Sequence, residues 1–211
     1  MSAEAVDYFS NHKLKLRFPW SLYHRPIVNE LRRVLAAGGP EVLNVGSGPF
    51  FERAEVERAG LNFTICDIDE RAIELAEELH GSALARADVL RPGAGLPYGD
   101  ASFDVVVSMD VVEHVPQPGP WVSEAFRVLK PGGVLFLTTP NYESASLRII
   151  EDTVLEAVAR VQGFSRKGLH PTKLDSPKLR SLLAAAGASS VEIRPIALGW
   201  VLAASARKKA A

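Results

Sequence analysis

The chain has 211 residues, 47% of them apolar, and its 24 Lys and Arg residues are balanced by 25 Asp and Glu residues. This length suffices for one domain with a full core, and a net charge of −1 disfavours nucleic acid as a partner. The lone Cys66 excludes an intramolecular disulfide, and no apolar run reaches the ~18 residues of a membrane span, so we predict a cytoplasmic protein.

The first 40 residues are predicted to form an N-terminal helical cap, and residues 41–211 to form the main domain. Apolar residues at helical spacing predict a helix over 21–37, which Gly38-Gly39-Pro40 would end. Residues 13–23 contain both cationic and aromatic side chains, which leaves open a peripheral contact with a membrane surface beside the more frequent role of a cap over the cofactor site.

Strands and helices alternate through the rest of the chain. Strands are predicted at 42–46, 63–67, 83–88, 103–109 and 134–139, and helices at 51–59, 69–79, 121–129, 143–161 and 175–186. Two closing strands, at 191–196 and 198–204, are separated by a turn so short that they must be antiparallel. This order predicts an α/β fold: a doubly wound, Rossmann-like, mostly parallel sheet of seven strands, with one antiparallel strand and helices on both faces.

The first strand ends in Gly46-Ser47-Gly48, and the second ends at Asp67. Glycines let a ligand approach the backbone, and an acid about twenty residues later is suited to accept hydrogen bonds from a ribose. A dinucleotide site would need a third glycine, but Phe51 occupies that position. The pattern therefore favours a nucleoside without phosphates, bound at the carboxyl edge of the sheet.

From about residue 41 to its C-terminus the chain resembles the class I S-adenosylmethionine-dependent methyltransferases. The resemblance lies in residues 42–48, 66–69, 87–89, 96–98, 102–106 and 129–133, in the family's order and spacing. It implies S-adenosylmethionine as cofactor and S-adenosylhomocysteine as product. The residues that it implies for cofactor binding are Asn44, Gly46, Ser47, Gly48, Asp67, Ile68, Asp88, Val89 and Met109.

Two positions depart from the family pattern. Asn44 stands where the family usually has an acid, and Phe50 stands where it usually has a third glycine. These departures keep a second hypothesis open, in which the chain is a catalytically inactive S-adenosylmethionine-binding module used for regulation or assembly.

The segment after the fourth strand, residues 109–115, contains the first catalytic candidates. If it is helical, Asp110, Glu113 and His114 lie at i, i+3 and i+4 on one face, where they would orient a hydroxyl or hold a divalent cation. It is similar to the segment of ubiquinone-pathway O-methyltransferases in which acid-x-x-Glu-His is implicated in metal binding. His114 is a candidate general base or a packing residue, and His170, in a polar loop, is the second candidate base.

The acceptor is predicted to be a small or lipophilic, quinone-like molecule that is methylated on oxygen. Oxygen is preferred to nitrogen or carbon only because of its frequency as the acceptor atom in the family that the chain resembles. No nucleic-acid partner and no integral membrane segment are expected, and the oligomeric state, monomer or homodimer, stays open.

Overall fold

A computed structural model describes residues 21–57, 60–150, 152, 153 and 170–210. The strands are β1 (Glu41–Val45), β2 (Asn62–Asp67), β3 (Arg86–Val89), β4 (Phe103–Met109), β5 (Leu129–Pro140), β6 (Ala188–Ile196) and β7 (Val201–Lys208). The helices are α1 (Ser21–Ala37), α2 (Arg53–Val56), α3 (Glu70–His80), α4 (Pro118–Val128), α5 (Ala145–Ile150) and α6 (Ser176–Ala185).

The seven strands form one sheet in the order β3-β2-β1-β4-β5-β7-β6. Strands β1 to β5 pair in parallel, and β7 runs antiparallel to both of its neighbours. The predicted mostly parallel seven-stranded sheet with one reversed strand is therefore confirmed. None of the described helices has the length and apolarity needed to cross a membrane.

The hydrophobic core lies in two layers, one on each face of the sheet. Apolar residues of α1, α2 and α3 pack on one face with Val42 and Ile65, and those of α4 and α6 pack on the other with Leu43 and Val45. Val42 to Val45 are all buried, and neighbours such as Val42 and Leu43 belong to different layers because successive side chains of a strand point to opposite faces of the sheet.

Several predicted boundaries were wrong. The helix expected over 51–59 is reduced to the single turn of α2, and β5 begins at Leu129 rather than at 134, since the Lys130–Gly133 segment continues the strand. The turn between β6 and β7 is the 3-10 turn Ala197–Gly199, so Leu198 does not begin a strand. The helix predicted over 143–161 is seen as α5, and most of the remainder lies outside the described residues.

Candidate cofactor and acceptor site

A cavity of about 1260 Å³ opens at the carboxyl ends of β1, β2 and β4. Ligands of doubly wound sheets bind at this edge, where the strand order reverses. Typical small-molecule pockets are about 300–1,000 Å³, so this cavity has room for a nucleoside cofactor and a second molecule. Predicted cofactor residues that line it are Gly46, Ser47, Gly48, Asp67, Ile68 and Met109.

The glycine turn after β1 is fixed by the end of β2. The backbone N–H groups of Gly46 and Ser47 donate to the Cys66 carbonyl oxygen at 2.8 and 3.2 Å. Gly46 has φ +68°, and a side chain there would collide with Val111, since a Cβ would lie 2.5 Å from Val111 Cγ2. Gly48 has φ +52°, and a Cβ there would have no neighbour within 4 Å, so its Cα faces open space.

Asp67 joins the glycine turn to the start of α3. Its Oδ2 accepts from the Gly48 N–H at 2.8 Å, and its Oδ1 accepts from the Asp69 N–H at 2.9 Å. A carboxylate has about four acceptor positions, so each oxygen keeps one position for a further donor such as a ribose hydroxyl. Asp69 caps the N-terminus of α3, because its side chain accepts from the Arg71 N–H.

Three of the predicted cofactor residues do not line the cavity. Asn44 is 1% exposed, and its amide nitrogen and oxygen have no hydrogen-bond partner among the described residues. Asp88 accepts from the Tyr98 hydroxyl at 2.9 Å and pairs with Arg86, while Val89 is 47% exposed. The cofactor-binding role that the resemblance implied for Asp88 and Val89 therefore stays a prediction.

The loop after β3 is held by residues that the sequence did not single out. The Glu124 carboxylate accepts from the Leu96 N–H at 3.0 Å and from Arg127, and hydrogen bonding to Arg127 holds the pKa of Glu124 below its usual value. Arg127 in turn donates to the carbonyl oxygens of Leu96 and Tyr98. This network sets the position of Leu96, which lines the cavity together with Trp121.

The segment after β4 is not an α-helix. Asp110 has φ +54° and is engaged by Thr138, whose hydroxyl donates to Asp110 Oδ1 at 2.9 Å. A 3-10 turn then spans Val112–His114. The expected face with Asp110, Glu113 and His114 at i, i+3 and i+4 is thus absent, since a positive φ breaks the helical path at its first residue.

A different trio of ligating side chains meets instead. Glu113, His114 and His170 each offer a ligand atom, and these atoms lie within 4.8 Å of one another. His114 lines the cavity, Glu113 is buried, and His170 packs edge-on against His114 with ring centroids 4.8 Å apart. The structure therefore unites the two predicted histidines and leaves Asp110 out of the group.

Tyr142 is a site residue that sequence reasoning missed. Its hydroxyl lies 2.5 Å from Nδ1 of His170, and its backbone N–H donates to the Leu174 carbonyl oxygen at 3.1 Å. The residue follows β5 in a Pro-Asn-Tyr segment, and strand ends at this edge were the available signal. Nothing in the sequence spacing relates it to His170.

The residues present fit S-adenosylmethionine. A carboxylate with remaining acceptor positions stands beside a turn whose glycine opens onto the cavity, and Ile68, Leu90 and Leu96 supply apolar surface suited to a purine. Backbone groups of the turn would hold the amino-acid part, because Asn44 does not reach the cavity.

A family model described as a methyltransferase domain matches residues 43–137. The chain is 38% identical over 104 residues to an uncharacterized methyltransferase of a Mycobacterium species (strain JLS), a match covering 48% of this chain and 39% of that protein. The chain thus spans about two fifths of the length of such curated relatives.

A ubiquinone biosynthesis O-methyltransferase of Rhizobium johnstonii is 27% identical over 168 residues, with 78% of this chain and 68% of that protein covered. The crystal structure of an S-adenosylmethionine-dependent methyltransferase from Aquifex aeolicus matches with a TM-score of 0.63 at 16% identity, covering 92% of each chain. The likeness to that structure concerns the fold.

Proposed function

Because the chain belongs to the class I S-adenosylmethionine-dependent methyltransferase family, we propose that it methylates a small or lipophilic acceptor on oxygen. The observation that carries this proposal is the cavity at the carboxyl edge of β1, β2 and β4, which is large enough for a donor and an acceptor together. The donor half of the cavity contains Asp67 and the glycine turn.

The remaining lining favours an apolar acceptor. Beyond the donor half, the cavity is lined mainly by apolar side chains from α1 and from the segment before and within α4: Ile27, Val28, Val115, Pro116, Pro120 and Trp121. Pockets of this kind bind lipophilic molecules and use a few polar groups to orient them. The polar groups on this side include His24, His114 and Gln117.

His114 lines the cavity and is the proposed acceptor of the proton that leaves the substrate hydroxyl. When bound, S-adenosylmethionine supplies an electrophilic methyl group, which passes to the acceptor oxygen while the C–S bond breaks and its electron pair stays on sulfur. An imidazole near neutral pH is suited to take the hydroxyl proton. His170 contacts His114 and remains the second candidate, acting on the acceptor through His114.

The cavity walls supply the alignment. Holding the acceptor oxygen in line with the methyl carbon can contribute on the order of 7–11 kcal/mol, which is more than one base contributes. The name of the Rhizobium relative supports oxygen as the acceptor atom. The oxygen, the acceptor class and the roles of both histidines are parts of the proposal.

Two measurements test the function. Calorimetry should show binding of S-adenosylmethionine and none of NAD, because no third glycine opens the turn to a pyrophosphate. Radiolabelled donor should then transfer its methyl group to a phenol from an acceptor panel, and His114→Ala should lower that rate about 10²-fold or more. Donor binding with no transfer to any acceptor would favour the inactive module.

A further inference from the structure

Phe50 adopts a backbone conformation that favours glycine. Its φ is +52°, in the left-handed region, and it occupies the position where the family pattern usually has a third glycine. This conformation is unfavourable for a residue with a side chain, so neighbouring groups have to stabilise it. The chain therefore places a phenylalanine on a backbone path that suits a glycine, and the contacts around Phe50 show how that path is kept.

Packing fixes the Phe50 side chain. The residue is 1% exposed, and its ring lies edge-on to Phe63 of β2, with ring centroids 5.3 Å apart. It also lies edge-on to His80, the last residue of α3, at 6.2 Å. Burial of an aromatic ring in the core layer of α1, α2 and α3 offsets part of the cost of the strained backbone.

His80 fixes the Phe50 backbone. Its Nε2 lies 3.1 Å from the Pro49 carbonyl oxygen and 3.0 Å from the Phe50 carbonyl oxygen. Both neighbours are carbonyl oxygens, which only accept hydrogen bonds, so Nε2 carries the proton and donates to them. The Phe50 carbonyl oxygen also accepts from the Arg53 N–H at 3.1 Å. The imidazole thus bonds the strained residue and the residue before it.

The two carbonyl groups belong to a segment that faces the donor half of the cavity. Residues 46–52, the donor loop, all line the cavity. Within this loop the Phe50 N–H donates to the Ser47 carbonyl oxygen at 3.2 Å, and the Gly48 N–H donates to Asp67 Oδ2 at 2.8 Å. The position of Phe50 is therefore linked to the positions of Ser47 and Gly48, which a bound donor has to approach.

We propose that His80 is a positioning residue for S-adenosylmethionine. Its bonds keep the donor loop in the conformation that binds the donor, although Phe50 disfavours that conformation. Without them the loop populates this conformation less, and the apparent donor affinity falls by the same fraction. His80 therefore offsets the departure at Phe50, which by itself does not favour an inactive module. The effect on the donor rests on the proposed function, whereas the support of the loop does not.

The test uses two replacements of His80 that separate packing from hydrogen bonding. His80→Phe keeps a ring against Phe50 without an N–H donor, and His80→Gln keeps an N–H donor of similar reach without the ring. Calorimetry should show donor affinity reduced about 3–10-fold in His80→Phe, as expected for the net loss of a hydrogen bond, and within about twofold of the wild type in His80→Gln. In methyl-transfer assays His80→Phe should raise KM for the donor and leave kcat unchanged, because saturating donor restores the loop.

Ile73→Val is the matched control. Ile73 lies in the same helix and the same core layer, is 4% exposed, and is outside the cavity lining. This variant should lower the urea midpoint while its donor affinity stays within about twofold of the wild type. Hydrogen exchange of residues 46–53, measured without donor, should be faster in His80→Phe and unchanged in His80→Gln and Ile73→Val.

Donor affinity in His80→Phe equal to that of the wild type overturns the inference, as does an equal loss in Ile73→Val. An equal loss in His80→Gln also overturns it, because the ring rather than the N–H would then be responsible. A wild type that does not bind the donor would contradict the methyltransferase proposal, and faster exchange in His80→Phe would still support the role of His80 in the loop. Donor binding with unchanged exchange in His80→Phe would contradict the role of His80 alone.

Discussion

Asp67 is the residue whose replacement distinguishes a donor-binding role from a structural one. Its carboxylate accepts from the Gly48 N–H at 2.8 Å and from the Asp69 N–H at 2.9 Å. It therefore holds the glycine turn even without a ligand. Asp67→Ala should reduce both the free energy of unfolding and the affinity for S-adenosylmethionine.

The expected cost follows from the two bonds. A hydrogen bond to a charged group contributes about 1.5–3 kcal/mol, and Asp67 is only half-buried, so water partly replaces each bond in the variant. We expect Asp67→Ala to lower the free energy of unfolding by about 3 kcal/mol. Asp67→Asn keeps one acceptor oxygen and should lose about half as much. Donor affinity should fall about 10–100-fold in Asp67→Ala, since the ribose partner and the turn geometry are lost together.

Urea denaturation gives the first quantity and calorimetry gives the second. Asp69→Ala is the control, because Asp69 is a neighbouring carboxylate in the same cavity wall whose oxygens are bound to Arg71. It should lose about 1 kcal/mol as a helix cap while its donor affinity stays within about threefold. Unchanged donor affinity in Asp67→Ala, or an equal loss in Asp69→Ala, would refute the assignment of Asp67 to the ribose.

Three further predictions concern the ends of β1 and β2. Gly46→Ala should lower the free energy of unfolding more than Gly48→Ala. Both variants lose about 1–2 kcal/mol because alanine is strained at a positive φ, but only the new Cβ at position 46 would collide with Val111. Equal urea midpoints for the two variants would contradict this. Burial raises the pKa of the Cys66 thiol from 9.0 to about 12, so the unfolded chain releases this proton first. The free energy of unfolding should thus fall by about 1 kcal/mol per unit between pH 9 and 12 in urea titrations, with a shallower fall in Cys66→Ala. Asn44→Leu should raise the free energy of unfolding of the donor-free protein by about 1 kcal/mol, because it removes an unpaired buried amide. Asn44→Asp should lower the free energy of unfolding. Thermal melts with the opposite order of stability would contradict the view that the Asn44 amide is unpaired.

The strands and the donor half of the cavity were predictable because local patterns determine them. Buried parallel strands appear in a sequence as apolar runs, and a glycine turn after one strand followed by an acid at the end of the next places both at one edge of the sheet. The hydrogen bond from the Gly48 N–H to Asp67 shows that the glycine turn and the acid do meet at this edge. The lengths of the elements were less predictable, since Lys130–Gly133 continue a strand although Pro and Gly usually end one.

The acceptor half was predicted less well, because its residues meet through the tertiary fold. The helical phase assumed for Asp110, Glu113 and His114 was wrong, since Asp110 adopts a positive φ that is stabilised by Thr138 on the neighbouring strand. No sequence pattern relates His170 to His114 or to Tyr142. They are brought together by bonds such as that from Thr172 to the Glu113 carbonyl oxygen, which depend on the placement of the segment before α6.

The contact between Gly46 and Val111 links the two halves of the cavity. Val111 occupies the space where a Gly46 side chain would lie, and the 3-10 turn that carries Glu113 and His114 begins at the next residue. The Ser108 hydroxyl donates to the Val45 carbonyl oxygen at 3.0 Å, so the ends of β1 and β4 are also bonded directly. The position of the glycine turn and that of the segment with the candidate base therefore depend on each other, because the two segments share this packing. Val111→Ala should accordingly weaken methyl transfer more than donor binding, since it loosens His114 while leaving the Asp67 bonds to the turn in place. Equal losses in calorimetric donor affinity and in transfer rate would show that Val111 supports the donor turn alone.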